Sequence, residues 1–185
     1  MADERSNSQD ARQIAYVVPD VRAAAERHSE IFGSGPYYVA KGLTFEGHLY
    51  RGRPTSVDVD IALGQWGDLQ MEFIQLNDDR PSVFGEVTSR DASFARIHHI
   101  CIQPHSLEDT VRRFGVDGCQ VAFDFTTSQG TRVVMIDTLS RLGHFVEAYE
   151  RTDEISDLYD RIRQAGETFD GRERVRPMSR LRANG

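Results

Sequence analysis

Arg96–Ile102, with the sequence RIHHICI, decides the fold of this chain together with residues 143–149, with the sequence GHFVEAY. In both stretches β-branched and aromatic residues alternate with polar ones, a period-two pattern that predicts β-strands. Because alternate side chains of a strand point to opposite faces, His99 is expected on one face and His98 on the outer face of the sheet. An imidazole from His99 and a carboxylate from Glu147, both held on strand interiors, are the components of a rigid divalent-metal site.

The same order of elements is predicted on both sides of the chain's middle. The first half predicts a strand at 13–18, a helix at 21–32 and strands at 37–40, 56–63 and 69–76. The second half predicts a strand at 97–103, a helix at 107–114 and strands at 119–125, 131–137 and 144–150. Asp20 after Pro19, and Ser106 with Asp109, provide the expected helix N-caps. Each half is βαβββ, which predicts an α+β fold whose two modules form a curved, open, mixed eight-stranded sheet.

The remaining segments set the expected domain boundaries. Residues 1–11 are polar and lack periodicity, which predicts a disordered leader before the first module at 12–76. A polar linker at 77–95 precedes the second module at 96–150. Residues 151–185 predict an added C-terminal helix, with its apolar face at 155–162, and an arginine-rich tail that we expect to be solvated.

Composition narrows the classes of function. The chain has 185 residues, a hydrophobic fraction of 39% and a net charge of −7, which disfavours nucleic acid as a partner. The sequence contains neither an apolar stretch that would span a membrane nor a signal peptide, so a cytoplasmic location is expected. Cys101 and Cys119 lie in apolar runs, which predicts buried, reduced thiols.

Alignment of the two modules brings four polar residues into equivalent positions. Matching the first strands places Gln13 on His99, and matching the last strands places Glu72 on Glu147. Two βαβββ modules packed edge to edge would bring all four side chains to one point inside the sheet.

The chain resembles the vicinal oxygen chelate superfamily, which includes glyoxalase I, methylmalonyl-CoA epimerase, extradiol dioxygenases and bleomycin-resistance proteins. The similar motifs are AYVVPD at 15–20, HHI at 98–100 and VEAYE at 146–150. The resemblance implies one divalent metal ion, held by Gln13, Glu72, His99 and Glu147. Many members have histidine at the first of these positions, and this chain departs from them with Gln13. Resemblance to eukaryotic-type glyoxalase I nevertheless implies this ligand set of Gln, Glu, His and Glu.

The implied activity is that of an isomerase or lyase which moves a proton α to a carbonyl through a metal-bound enediolate. Zn²⁺, Ni²⁺, Co²⁺, Mn²⁺ or Fe²⁺ would act as a Lewis acid, with Glu147 or Glu72 as general base. The expected partner is a small-molecule substrate, such as a glutathione or CoA thioester. Candidate substrate-binding residues are Tyr149, Arg51 and Arg53, with Arg132 as a further cation.

Two other functions remain open at this point. A metal-free small-molecule binding or resistance protein is favoured if Gln13 marks a lost metal site. An extradiol-type dioxygenase would need two histidines and one carboxylate around Fe²⁺, and Gln13 counts against it. The family forms its sheet within one chain or between two chains, and we expect a homodimer.

Overall fold

The computed structural model describes residues 10–87, 96–127 and 130–182 of the chain. Its strands are β1 Ala11–Val17, β2 Tyr37–Tyr50, β3 Arg53–Trp66, β4 Leu69–Leu76, β5 Arg96–Ile102, β6 Val121–Thr126, β7 Arg132–Ile136, β8 Phe145–Tyr149 and β9 Val175–Pro177. Its helices are α1 Val21–Phe32, α2 Leu107–Val116, α3 Leu139–Leu142, α4 Asp153–Glu167 and α5 Ser179–Arg182, with a short 3-10 helix at Phe84–Glu86.

The strands form one mixed sheet in the order β3-β4-β1-β5-β8-β7-β6-β2-β9. Antiparallel pairing of β1 with β5 joins the two modules. The predicted α+β architecture, a curved sheet built from two βαβββ modules with a C-terminal helix, is confirmed.

Two features of the sheet differ from the expected open arrangement. Strand β2 is 14 residues long and pairs with β3, and its last residues, Leu49 and Tyr50, also pair with Asp124 and Phe123 of β6. The sheet therefore closes into a barrel. The length of β2 was missed because register shifts between residues 40 and 43 and between residues 45 and 48 interrupt the alternation on which a strand prediction depends.

Helices α1 and α2 begin where their capping residues predict. The Asp20 carboxylate accepts hydrogen bonds from the backbone N–H groups of Arg22 and Ala23, at 2.8 and 3.0 Å. Ser106 accepts one from the backbone N–H of Asp109 at 3.2 Å. Each side-chain acceptor satisfies a backbone donor that the first helical turn leaves free, which fixes the start of the helix.

The hydrophobic core is divided by the sheet. The barrel interior holds the largest cluster, with Phe123, Phe145 and Met135 among its fully buried side chains. Ile155 and Tyr159 of α4 pack against this interior cluster, so the C-terminal helix covers part of the barrel. None of the described helices is long and apolar enough to cross a membrane. Cys101 and Cys119 are buried free thiols, as predicted.

The expectation of a solvated arginine-rich tail is wrong. Val175–Pro177 pairs with Tyr37–Val39 as strand β9, and Leu181 of α5 is only 6% exposed. Apolar residues between the arginines, such as Met178 and Leu181, pack against β2, β3 and α4. The prediction considered the arginines alone and overlooked these apolar residues.

The predicted leader and the predicted linker are both only partly described. Of the predicted leader, residues 1–9 lie outside the described residues, and Ala11 already begins β1. Residues 88–95 of the predicted linker also lie outside them. The first part of the linker is packed into the protein, because Ser82, Val83, Phe84 and Val87 are buried.

Candidate active site

The strand registers bring the four predicted residues to one face of the sheet. Gln13 of β1 pairs with Cys101 of β5, which in turn pairs with Glu147 of β8. Two residues along β1, Ala15 pairs with both Glu72 of β4 and His99 of β5. Positions two apart on a strand share a face, so the set lies in two adjoining rows inside the barrel.

Three oxygen atoms converge on one nitrogen of His99. From His99 Nε2, the distances are 3.3 Å to Gln13 Oε1, 3.4 Å to Glu72 Oε2 and 3.7 Å to Glu147 Oε2. The Gln13 Nε2 group donates to Gln70 Oε1 at 2.5 Å, which orients the Gln13 oxygen towards the histidine. The Nε2 group of Gln70 is buried and has no hydrogen-bond partner among the described residues.

The expectation that His98 points to the outer face is wrong. Ala15 pairs with His99 but Tyr16 pairs with Ile97, so His98 is an extra residue on its strand. Such a β-bulge breaks the alternation of faces. His98 is fully buried, and its Nδ1 lies 2.8 Å from His99 Nδ1.

A carbonyl from the linker determines which nitrogens of the histidine pair carry protons. His98 Nε2 lies 3.2 Å from the Val83 carbonyl oxygen, which can only accept, so this nitrogen carries a proton. Burial holds the pKa of His98 well below its ordinary value, and the nearby His99 lowers it further, so His98 is neutral and its Nδ1 accepts. His99 Nδ1 therefore donates, and His99 Nε2 is directed at the three oxygens.

The charges at the centre are strongly coupled. Burial opposes protonation of His99, but the charges of Glu147 and Glu72 and the hydrogen bond to Glu72 together raise its pKa. Burial also raises the pKa of Glu147, with Glu72 adding to this effect and His99 opposing it. Within the described residues, His99 is the only cationic group that either carboxylate contacts. The protonation states of His99 and Glu147 are therefore linked.

The donor set fits a divalent cation in chemistry more closely than in geometry. One imidazole, two carboxylates and one amide oxygen suit a first-row divalent metal. Over the described ranges, however, no three His, Cys, Asp or Glu side chains are already arranged as a metal-binding cluster. The carboxylate oxygens lie 3.4 and 3.7 Å from Nε2, close to the roughly 3.0–3.4 Å between neighbouring ligand atoms of a metal bound at about 2.1 Å. Metal loading would thus require the side chains to rearrange around a common centre, with little change in these two distances.

A small cavity of about 70 Å³ adjoins the centre. It is lined by Glu72, His99 and Glu147 and by apolar side chains that include Val59 and Phe84. At about 30 Å³ for each water molecule, this volume holds roughly two waters. Phe84 is 4% exposed and stacks on His98 with ring centroids 5.0 Å apart, so the linker supplies one wall of the cavity.

Residues 12–136 match the sequence model of the Glyoxalase/Bleomycin resistance protein/Dioxygenase superfamily. The chain belongs to this superfamily. The resemblance indicated by the strand motifs is therefore confirmed. No curated protein sequence is significantly similar to this superfamily member.

Solved structures share the fold at low sequence identity. A hypothetical protein, BH1468 from Bacillus halodurans C-125, matches with a TM-score of 0.56 and 16% identity, over 80% of this chain and 97% of that one. Methylmalonyl-CoA epimerase from Mycobacterium tuberculosis matches with a TM-score of 0.51 and 14% identity, over 79% of this chain and 90% of that one.

The other predicted site residues of this superfamily member do not line the small cavity. Tyr149 donates to the Tyr159 hydroxyl at 2.6 Å and so faces α4. Arg51 and Arg53 lie at the β2–β3 hairpin, in a separate groove. Arg132 pairs with Asp124. The roles of these residues in substrate binding stay predictions.

Sequence reasoning missed His98 and Phe84 as parts of the site. The pattern of apolar and polar residues in the strand does not reveal the bulge, so the direction of the His98 side chain could not be predicted. The adjacent apolar residues Val83 and Phe84, within a largely polar linker, were an available signal of burial.

Proposed function

We propose that this chain is a divalent-metal-dependent isomerase or lyase of the glyoxalase I or epimerase type, which moves a proton α to a carbonyl group. The observation that carries the proposal is the convergence of oxygens from Gln13, Glu72 and Glu147 on His99 Nε2, beside a small cavity. Superfamily membership supports it.

The residues that would hold the metal are Gln13, Glu72, His99 and Glu147. When bound, a divalent cation would polarise the substrate carbonyl and make the neighbouring C–H more acidic. His98 Nδ1 accepts a hydrogen bond from the protonated Nδ1 of His99, which leaves His99 Nε2 as the atom that would coordinate the metal. Gln70 orients the amide oxygen of Gln13.

Glu147 is the proposed general base, a role that its carboxylate would fill only when it is not bound to the metal, and Glu72 is the second carboxylate that could fill this role. Burial raises the pKa of Glu147, which makes it a stronger proton acceptor than an exposed glutamate. Both carboxylates line the cavity in which the substrate C–H would lie. The base would take the proton from one carbon and return it to the same or the adjacent carbon. The apolar walls would exclude water that could compete for that proton.

The second candidate is a metal-free binding protein, and one observation favours it. A protonated His99, whose Nε2 faces three oxygens, would partly balance the charges of Glu72 and Glu147 in the absence of a metal. In this alternative the cavity binds a ligand and performs no proton transfer.

Exchange of the substrate α-proton tests the proposal. In deuterium oxide, metal-loaded protein is incubated with methylmalonyl-CoA, and separately with the hemithioacetal of methylglyoxal and glutathione, while proton NMR follows the α-hydrogen. We expect exchange with at least one substrate, and a loss of about a hundredfold or more in Glu147→Gln. Glu108→Gln, a matched change on the exposed face of α2, should retain full exchange. Exchange that persists unchanged in Glu147→Gln would contradict the proposed base.

The expected homodimer also stays a prediction. Multi-angle light scattering of the purified protein would show a mass of two chains if it is correct and of one chain if it is wrong.

A further inference from the structure

A second depression lies at the β2–β3 hairpin and encloses about 600 Å³. This volume is typical of small-molecule sites. The residues that line it include Tyr50, Arg51, Arg53, Thr55, Arg80 and Pro81, and none of the described Asp or Glu residues lines it. We call it the arginine groove.

The three arginines of the groove differ in their existing contacts. Arg51 donates to both carboxylate oxygens of Glu86, at 2.9 and 2.6 Å, and to Asp137 at 2.7 Å. Arg80 pairs with Asp78. Arg53 is exposed and makes no hydrogen bond or ion pair with the part of the chain that the structure describes. Its guanidinium group is therefore available to an anion.

The arginine groove is close to the small cavity along two segments. On β3, Ser56 lines the groove and Val59 lines the cavity. In the linker, Pro81 lines the groove and Phe84 lines the cavity. Three extended residues span about 10 Å. Phe84 therefore lies on the wall of the small cavity, three residues along the chain from the wall of the arginine groove.

Another groove borders the same cavity but has a different chemical character. It encloses about 440 Å³ between α4 and strands β2 and β3, and it shares Ile61 with the cavity. Glu154 and Asp157 line it together with Arg161 and several apolar side chains. These two carboxylates line the groove itself, whereas the carboxylates that pair with Arg51 and Arg80 lie outside the lining of the arginine groove. The groove beside α4 is therefore the less suitable of the two for a phosphate.

We propose that the arginine groove binds a phosphate-bearing part of the substrate, while the reactive acyl end reaches the small cavity past Phe84. Guanidinium groups match phosphate in both charge and hydrogen-bond geometry. A cavity of about 70 Å³ is too small for an acyl thioester, so its lining has to move for the acyl end to enter. Phe84 is the aromatic lining residue on the segment that also reaches the arginine groove. This inference rests on the proposed function. It implies that the substrate is a thioester or related carbonyl compound that carries a phosphate ester or diphosphate.

The first test is calorimetric titration of the full chain with ADP, with adenosine as the control that lacks phosphate. We expect ADP to bind and adenosine not to bind. Arg53→Ala should weaken ADP binding about tenfold, the loss of a charge-assisted contact. Arg161→Ala, which removes an exposed guanidinium from the other groove, should leave ADP affinity unchanged. Glutathione, an anion with carboxylates only, should bind more weakly than ADP.

Four results would overturn the groove assignment: no binding of ADP, equal binding of adenosine, equal losses in Arg53→Ala and Arg161→Ala, or tighter binding of glutathione than of ADP.

The second test concerns passage past Phe84. Phe84→Leu keeps an apolar side chain in the core but shortens it, which should lower the cost of opening the cavity. Acetyl-CoA, which carries both phosphates and a thioester, should bind this variant about threefold more tightly, with ADP affinity unchanged. Unchanged acetyl-CoA affinity would overturn the proposed route.

The groove and the proposed metal centre can fail separately. ADP binding should persist in the double variant His99→Ala with Glu147→Ala, since neither residue lines the arginine groove. Metal content should be unchanged in Arg53→Ala. If the protein binds ADP but no metal, the assignment of the arginine groove stands and the proposed metal-dependent function is wrong. If it binds metal but not ADP, the proposed function stands and the groove assignment is wrong.

Discussion

His98 Nδ1 lies 2.8 Å from His99 Nδ1, inside the barrel, although the two residues are adjacent on one strand. The bulge at His98 makes this contact possible, and the Val83 carbonyl at the far side of the His98 ring fixes its direction. A main-chain atom of the linker therefore determines that the His99 nitrogen facing His98 carries a proton.

Replacement of His98 should weaken metal binding without removing any proposed ligand. His98→Phe fills the same space but cannot accept the His99 Nδ1 proton, so metal affinity should fall about tenfold to a hundredfold. His98→Asn, whose side-chain oxygen can accept that proton, should recover part of the loss. At a pH above the raised pKa of His99, where its imidazole is neutral, nitrogen NMR of the metal-free proteins should show His99 protonated at Nδ1 in the wild type and mixed in His98→Phe. Equal tautomer populations in all three proteins would contradict the assigned relay.

Gln13→His should preserve or strengthen metal binding. Gln13 Oε1 is the nearest of the three oxygens to His99 Nε2, at 3.3 Å, and imidazole is a better ligand than an amide for first-row metals. Competition with a coloured chelator measures the affinity. An affinity reduced about tenfold or more would indicate that Gln13 is not at a ligand position.

The repeat made the candidate site predictable. Alignment of the two modules identified all four candidate ligand residues, and this step did not require the directions of their side chains. What could not be predicted depended on breaks in periodicity. The bulge that turned His98 inward and the register shifts in β2 are determined by pairing with other strands, and the sequence of a single strand does not encode them. Phe84 was missed for a different reason. A mostly polar segment is ordinarily exposed, and burial of residues 82–84 and 87 depends on the space available inside the barrel.

Two glycine-to-alanine substitutions should have opposite effects on stability. A Cβ atom at Gly64 would lie 2.5 Å from the ring of Tyr37, which is fully buried. Gly64→Ala should therefore cost about 1–3 kcal/mol or more of unfolding free energy. At Gly115 in α2, a Cβ atom would meet no atom within 4 Å, and alanine should add about 0.5–1 kcal/mol of stability. Urea denaturation of both variants checks the pair, and a Gly64→Ala protein as stable as the wild type would contradict the packing described for Tyr37.

His28 should make the fold less stable as the pH falls. Burial lowers the pKa of His28 from its ordinary value of 6.5, and its Nδ1 lies 2.7 Å from Ser34 Oγ and 2.8 Å from Tyr37 Oη. Below about pH 6.5 the unfolded chain binds a proton that the folded chain resists, so the unfolding free energy falls with decreasing pH. His28→Gln should show a smaller fall between about pH 7 and pH 5 than the wild type does. Equal slopes in the two proteins would show that His28 is not held neutral.

The central claim is that Gln13, Glu72, His99 and Glu147 hold one divalent metal ion. Elemental mass spectrometry of the purified protein, after reconstitution with Zn²⁺, Ni²⁺, Co²⁺, Mn²⁺ or Fe²⁺, measures this directly. The wild type should contain about one metal per chain. The double variant His99→Ala with Glu147→Ala should contain none, and the matched surface variant His105→Ala with Glu108→Ala should keep the wild-type content. A wild type without metal after every reconstitution, or a metal content unchanged in the His99 and Glu147 variant, would contradict the account and favour the metal-free binding protein.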